Sequence, residues 1–72
     1  MEVRVGDKFK GLHPADAIWN YEVVEIKDGF ARCVATAVKP DSRYPKNHYY
    51  NTHDLRIDLG LFEQGTWYEK IN

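Results

Sequence analysis

Asp28-Gly29 sits between two runs rich in β-branched and aromatic residues, Asn20 to Lys27 and Phe30 to Val38. That dipeptide tolerates the positive φ angles of a type I′ turn, whose twist matches that of paired strands. The stretch reads as a β-hairpin, and one this long in 72 residues decides the fold class without deciding the function. In its first arm Trp19, Tyr21 and Val23 share one parity, whereas Val24 and Ile26 share the other. A slip of this kind marks a β-bulge or a barrel corner. In the second arm Phe30, Val34 and Val38 fall on one face and Ala31, Cys33, Ala35 and Ala37 on the other. Apolar residues on both faces predict a strand buried on both sides for part of its length.

The flanking segments read as further short strands. Val3, Val5 and Phe9 alternate around Gly6-Asp7, which predicts one strand over 2–5 and 8–11, bent at Gly6 where no Cβ hinders the kink. Leu12 to Trp19 is expected to be a loop with a single turn at Pro14, pinned by Ile18 and Trp19. Pro40 and Pro45, together with Asp41, Ser42 and Asn47, make 39–47 a surface loop. His48 to Asn51 is expected as a short strand, and Thr52 to Leu55 as a helical or 3₁₀ turn capped by Asn51 or Thr52. Leu55, Ile57 and Leu59 then alternate as a strand. After the Gln64-Gly65 turn, Thr66 to Ile71 closes the chain. Trp19 and the Trp67-Tyr68 pair are read as core aromatics, with simple alternation turning Trp67 inward and Tyr68 outward.

These elements predict a single all-β domain over 1–72. The expected architecture is a small SH3-like barrel of five to six short strands with at most one short helical or 3₁₀ turn. Curling the sheet removes exposed edges that no helix is present to cover. With 43% apolar and 14% aromatic residues, the chain can fill a small core, although a domain of this size buries only about 60% of its extended surface.

Charge and cysteine usage narrow the function classes. Ten basic and eleven acidic residues give a net charge of −1, which lacks the basic signature of most nucleic-acid-binding domains and gives no reason to invoke a membrane surface. No apolar run approaches the roughly 20 residues needed to span a bilayer. The single Cys33 rules out an internal disulfide and suits a reducing compartment. Met1 to Gly6 has neither a basic leader nor an apolar core segment, so a cytoplasmic location is expected.

Val3-x-Val5-Gly6-Asp7-x-Phe9 and Tyr21-x-Val23-Val24-x-Ile26-x-Asp28-Gly29 resemble the opening strand and central hairpin of SH3-like barrels. The tail, Asp54-Leu55-Arg56 through Gly65-Thr66-Trp67-Tyr68, is similar to closing segments of small proteins of bacteria and their phages and prophages. The resemblance implies a small interaction module, of phage type, and assigns no site residues. The Ala-Leu-Tyr-Asp-Tyr type of motif used by signalling SH3 domains for proline-rich peptides is absent.

No constellation for catalysis stands out. His13, His48, His53, Cys33 and Asp54 lack metal-ligand spacing, so neither a metal nor a cofactor is expected. Cys33 lies mid-strand among small apolar residues, the setting of an inert thiol rather than a nucleophile. No phosphate loop or nucleophile elbow is present. The chain reads as a non-enzymatic binding module.

Its candidate site is the 39–51 loop, where Lys39, Arg43, Lys46 and His48 interleave with Tyr44, Tyr49 and Tyr50. Arg43, Tyr44, Lys46, His48, Tyr49 and Tyr50 are the expected contact residues. Tyr and Arg dominate protein–protein hot spots, so a protein partner is the first reading. The same mixture of cations and stacking rings serves single-stranded nucleic-acid binders, which is the alternative. The bland alternative is a solvated turn whose tyrosines close the barrel end. Either a monomer or a homodimer is compatible, the latter through an uncapped first or last strand.

Overall fold

The structure is a computed structural model that describes residues 2–72. Its centre is the hairpin, with β1 assigned to Lys8–Gly11, β2 to Trp19–Lys27 and β3 to Phe30–Ala37. Asp28 (φ 54°) and Gly29 (φ 80°) form the type I′ turn, and Lys27 pairs with Phe30 directly beneath it. The parity slip is also present, because the β2–β3 register shifts between Val23 and Glu25 and leaves Val24 as the extra residue of a bulge.

The remaining elements are β4, Thr52–Asp58, the short helix α1, Leu59–Glu63, and β5, Tyr68–Lys70. Five antiparallel strands make one open sheet in the order β4-β3-β2-β1-β5. Strand β1 therefore lies inside the sheet between β2 and β5. Of the two strand edges expected to be free for pairing, only the last is an edge, and β4 forms the other.

Several expectations are corrected. The first strand covers only residues 8–11. Upstream of it the chain turns back, with the Asp7 amide bonded to the Arg4 carbonyl, and is tied to β2 by bonds from Gly6 N–H to Val23 O (2.8 Å) and from Val23 N–H to Asp7 O (2.9 Å). His48 to Asn51 is a turn and Thr52 to Leu55 belongs to β4, so strand and turn are exchanged relative to the sequence reading. The helical turn lies further on, where Asp58 Oδ1 accepts the Gly60 amide at 2.8 Å and caps α1. Helical spacing there buries Phe62 between its neighbours, a gain that simple strand alternation would not provide.

The last strand has the opposite phase from the one expected. Tyr68 is 8% exposed and Trp67 is 41% exposed, because pairing of Gly11 with Tyr68 sets the register. Strand β3 is buried on one face only. Ala31, Cys33 and Ala35 face the core, while Phe30 is 41% exposed, as is Val38 just beyond the strand at 50%, since no second layer among the described residues covers the outer face of the sheet.

The core is an aromatic column packed on these small side chains. Phe9 meets Phe62 at 4.4 Å between ring centroids, Phe62 meets Tyr68 at 4.8 Å, and Tyr68 meets Tyr21 edge-on at 5.2 Å. Gly11 allows the 12–18 loop to fold onto β1, because a Cβ there would run into the main chain of Asp16. That loop is held by its main chain, through Asp16 and Ala17 amides on the His13 carbonyl and the Val38 amide on the Ile18 carbonyl, whereas the Ile18 side chain is exposed. No helix among the described residues is long and apolar enough to cross a membrane.

Candidate functional site

The 39–51 loop is built around one side chain, Asn51, which is 2% exposed. Its amide nitrogen donates to the carbonyls of Asp41 (3.0 Å), Tyr44 (3.2 Å) and Pro45 (3.0 Å), and its Oδ1 accepts the Asp41 amide at 2.6 Å. The segment joins no strand ladder, and its two prolines bring no N–H to one, so the Asn51 side chain supplies the donors that a strand neighbour would otherwise offer to these carbonyls. Thr52 adds a second tie, from its hydroxyl to the Lys46 carbonyl at 2.8 Å. Sequence reasoning treated Asn51 as a cap candidate and missed this role.

The tie-down leaves the aromatic rings outside. Tyr49 and Tyr50 are 68% and 55% exposed. Tyr44 stacks on His48 at 4.3 Å and meets Tyr50 edge-on at 5.0 Å. Tyr49 contacts His53 at 5.1 Å, and His53 in turn meets Trp19 edge-on at 4.5 Å. The expected residues Tyr44, His48, Tyr49 and Tyr50 are thus brought together, and β2 and β4 extend the row with Trp19 and His53, which the sequence reading did not include.

Arg43 joins the cluster by lying over the Tyr44 ring, 5.7 Å from its centroid. Its charge is already engaged, however, with Asp41 Oδ2 at 2.7 Å from Nη2. The guanidinium and the Arg43 amide hold the Asp41 carboxyl down at about 2. Lys46 stays at the exposed rim, where only its main-chain carbonyl is tied into the loop.

Beside the ring cluster runs an open groove of about 390 Å³, lined by Ile18, Trp19, Val38, Lys39 and Tyr50 with two alanines. Ile18 and Val38 are both exposed, so ordered rings and an apolar trough form one continuous surface.

The other residues singled out in the sequence are dispersed. Among the described residues no three His, Cys, Asp or Glu side chains converge on a possible metal position. His13 lies against Trp67, His48 on Tyr44 and His53 on Trp19. Cys33 is buried, and burial pushes its thiol up to about 11. Comparison of the chain with protein-family models, curated proteins and solved structures yields no match.

Proposed function

We propose that this chain is a non-enzymatic binding module on an SH3-like barrel, and that the 39–51 loop with its groove engages another protein. The strand order, with β1 paired to the last strand and a helical turn between β4 and β5, supports the barrel reading. The observation that carries the functional reading is the bracing of exposed rings by Asn51. Aromatic side chains held in place before contact lose little conformational freedom on binding, and an apolar patch adjoining them marks an interaction surface.

The protein reading is favoured over single-stranded nucleic acid by the fate of Arg43. A phosphate grip needs free cations, yet the arginine at the centre of the cluster is neutralised by Asp41. Catalysis at Cys33 is disfavoured by its burial, since a nucleophilic thiol needs an exposed, electropositive setting.

The test uses photo-crosslinking from position 50, with exposed position 27, at the opposite end of the β2–β3 hairpin from Trp19 and Ala37, as control. Partners captured only from position 50 are then titrated against the wild type and the Tyr49→Ala variant. A loss of about tenfold or more in affinity is expected for a hot-spot tyrosine, and unchanged affinity would reject the site. An oligonucleotide titration at two salt concentrations serves as the counter-test, where tight binding with a steep salt dependence would favour the nucleic-acid reading instead.

A further inference from the structure

The two edges of the sheet differ. Strand β5 is three residues long, whereas β4 presents seven residues with no proline, glycine or bulge, the kind of edge that invites another strand. Its hydrogen-bonding phase can be read from its ends. The Ala37 amide bonds to Asn51 O and the Leu59 amide to Gly29 O, so the odd-numbered positions of β4 turn their main-chain groups toward β3. In an antiparallel ladder the intervening residues point the other way. Asp54 and Arg56 thus aim N–H and C=O outward, and no other group among the described residues takes them up. The Thr52 amide, in contrast, is already bonded to His48 O at 2.8 Å.

The side chains of this edge are also incomplete. Arg56 stands opposite Arg32 on the outer face, and like charges in that position oppose strand pairing. Arg32 has Glu25 at 3.5 Å. Arg56 lies over the Phe30 ring at 5.4 Å, and neither it nor Asp54 has an ion-pair partner among the described residues.

We propose that β4 pairs antiparallel with β4 of a second copy of this chain, across a two-fold axis through Leu55. That register sets Asp54 opposite the partner's Arg56, and by symmetry Arg56 opposite the partner's Asp54. Both residues lie at the hydrogen-bonded positions of the new ladder. The Thr52 carbonyl faces the partner's Asp58 amide, and the half-buried Leu55 meets the partner's Leu55 on the inner face. An axis through Asp54 would instead set that carboxylate against its own copy. An axis through Arg56 would oppose two arginines and also set Asp54 against Asp58. Half-step registers would align outward-facing groups with inward-facing ones. An axis through Ile57 would set Arg56 opposite the partner's Asp58 but keep only Arg56 to Asp58 of the strand in register, so the Leu55 axis alone satisfies the charges with the whole of β4 in the ladder.

Sedimentation equilibrium over a concentration series into the millimolar range tests this pairing, with circular dichroism confirming that each variant folds. The wild type is expected to approach twice the mass of the chain. Arg56→Asp and Asp54→Arg, each placing like charges in both symmetric pairs, should each weaken the dimer about tenfold or more. Mixing these two variants should then give a heterodimer, because one edge now carries only positive and the other only negative charge at both positions. Should either single reversal unfold the chain, the double swap Asp54→Arg with Arg56→Asp carries the test and should dimerise like the wild type. A wild type that stays monomeric throughout overturns the proposal, as does a dimer indifferent to the reversals or a mixture or double swap that fails to associate.

Discussion

Ala31, Cys33 and Ala35 of the central hairpin are fully buried, while Tyr49 and Tyr50 of the 39–51 loop stand largely in solvent, yet both segments have a defined conformation. The hairpin is ordered by removing apolar surface from water and by a continuous ladder of main-chain bonds. The loop has little buried apolar surface, and its order comes from a polar hub, Asn51, whose side-chain hydrogen bonds reach six to ten residues back along the chain, to Pro45, Tyr44 and Asp41. The comparison shows that a small domain can hold aromatic rings ready for a partner without enlarging its core. It also assigns separate vulnerabilities to the two regions.

The largest effect belongs to the core. Phe62→Ala removes the ring that links Phe9 to Tyr68 and should destabilise the fold by about 3–5 kcal/mol, measured by urea denaturation. A change near zero would mean that α1 is not part of the cooperative unit.

Asn51→Ala is the equivalent lesion in the loop. It strands the Asp41 amide and removes the donor to three carbonyls, a loss of about 2–3 kcal/mol. The signature that distinguishes it from a core lesion is locality, with amide exchange accelerated over 39–50 and little change in β1. Global loosening of the sheet would erase the distinction between the two regions. Gly29→Ala comes next at about 1–2 kcal/mol, since only the turn must then hold a side chain at positive φ. Tyr49→Ala should stay within about 0.5 kcal/mol of the wild type in the same assay, consistent with a ring displayed for contact rather than for stability.

Acid should reach the loop before the hairpin. Asp41 is held at about 2 in the folded chain by Arg43, below the ordinary carboxyl value of about 3.9. Its contribution is therefore complete above that ordinary value and is lost as pH falls toward the folded one. Amide shifts of Arg43 and Tyr44 should move in that window, and Arg43→Ala should move the transition upward. Shifts confined to β3 in the same window would contradict this assignment.

Legibility in the sequence followed the range of the forces involved. The turn at Asp28-Gly29 and the bulge at Val24 are local in cause, one a matter of φ and the other of side-chain parity, and both were readable from neighbouring residues. The exchange of strand and turn over 48–55 was not, because Thr52 enters β4 through its pairing with Thr36, a partner that local pattern does not reveal. The Leu55, Ile57, Leu59 alternation continued unbroken into α1, where the need to bury Phe62 outweighed it. Trp67 and Tyr68 exchanged places because the pairing with Gly11 sets their phase. In the candidate site, composition singled out the tyrosines and Arg43, but not that Asp41 neutralises Arg43 or that Trp19 and His53 join the row. The role of Asn51 was hidden for a further reason, since an asparagine amide can serve a cap, a turn or a hub equally well, and only the path of the loop selects among them.

The claim on which the site depends is that the rings of the loop are held still before any partner arrives. Backbone ¹⁵N relaxation of the free protein measures this on the relevant timescale. Residues 41–50 should show order parameters close to those of β2 and β3, near about 0.85, with a drop confined to the loop in Asn51→Ala. Values below about 0.6 across 41–50 in the wild type would describe a flexible segment and contradict the account.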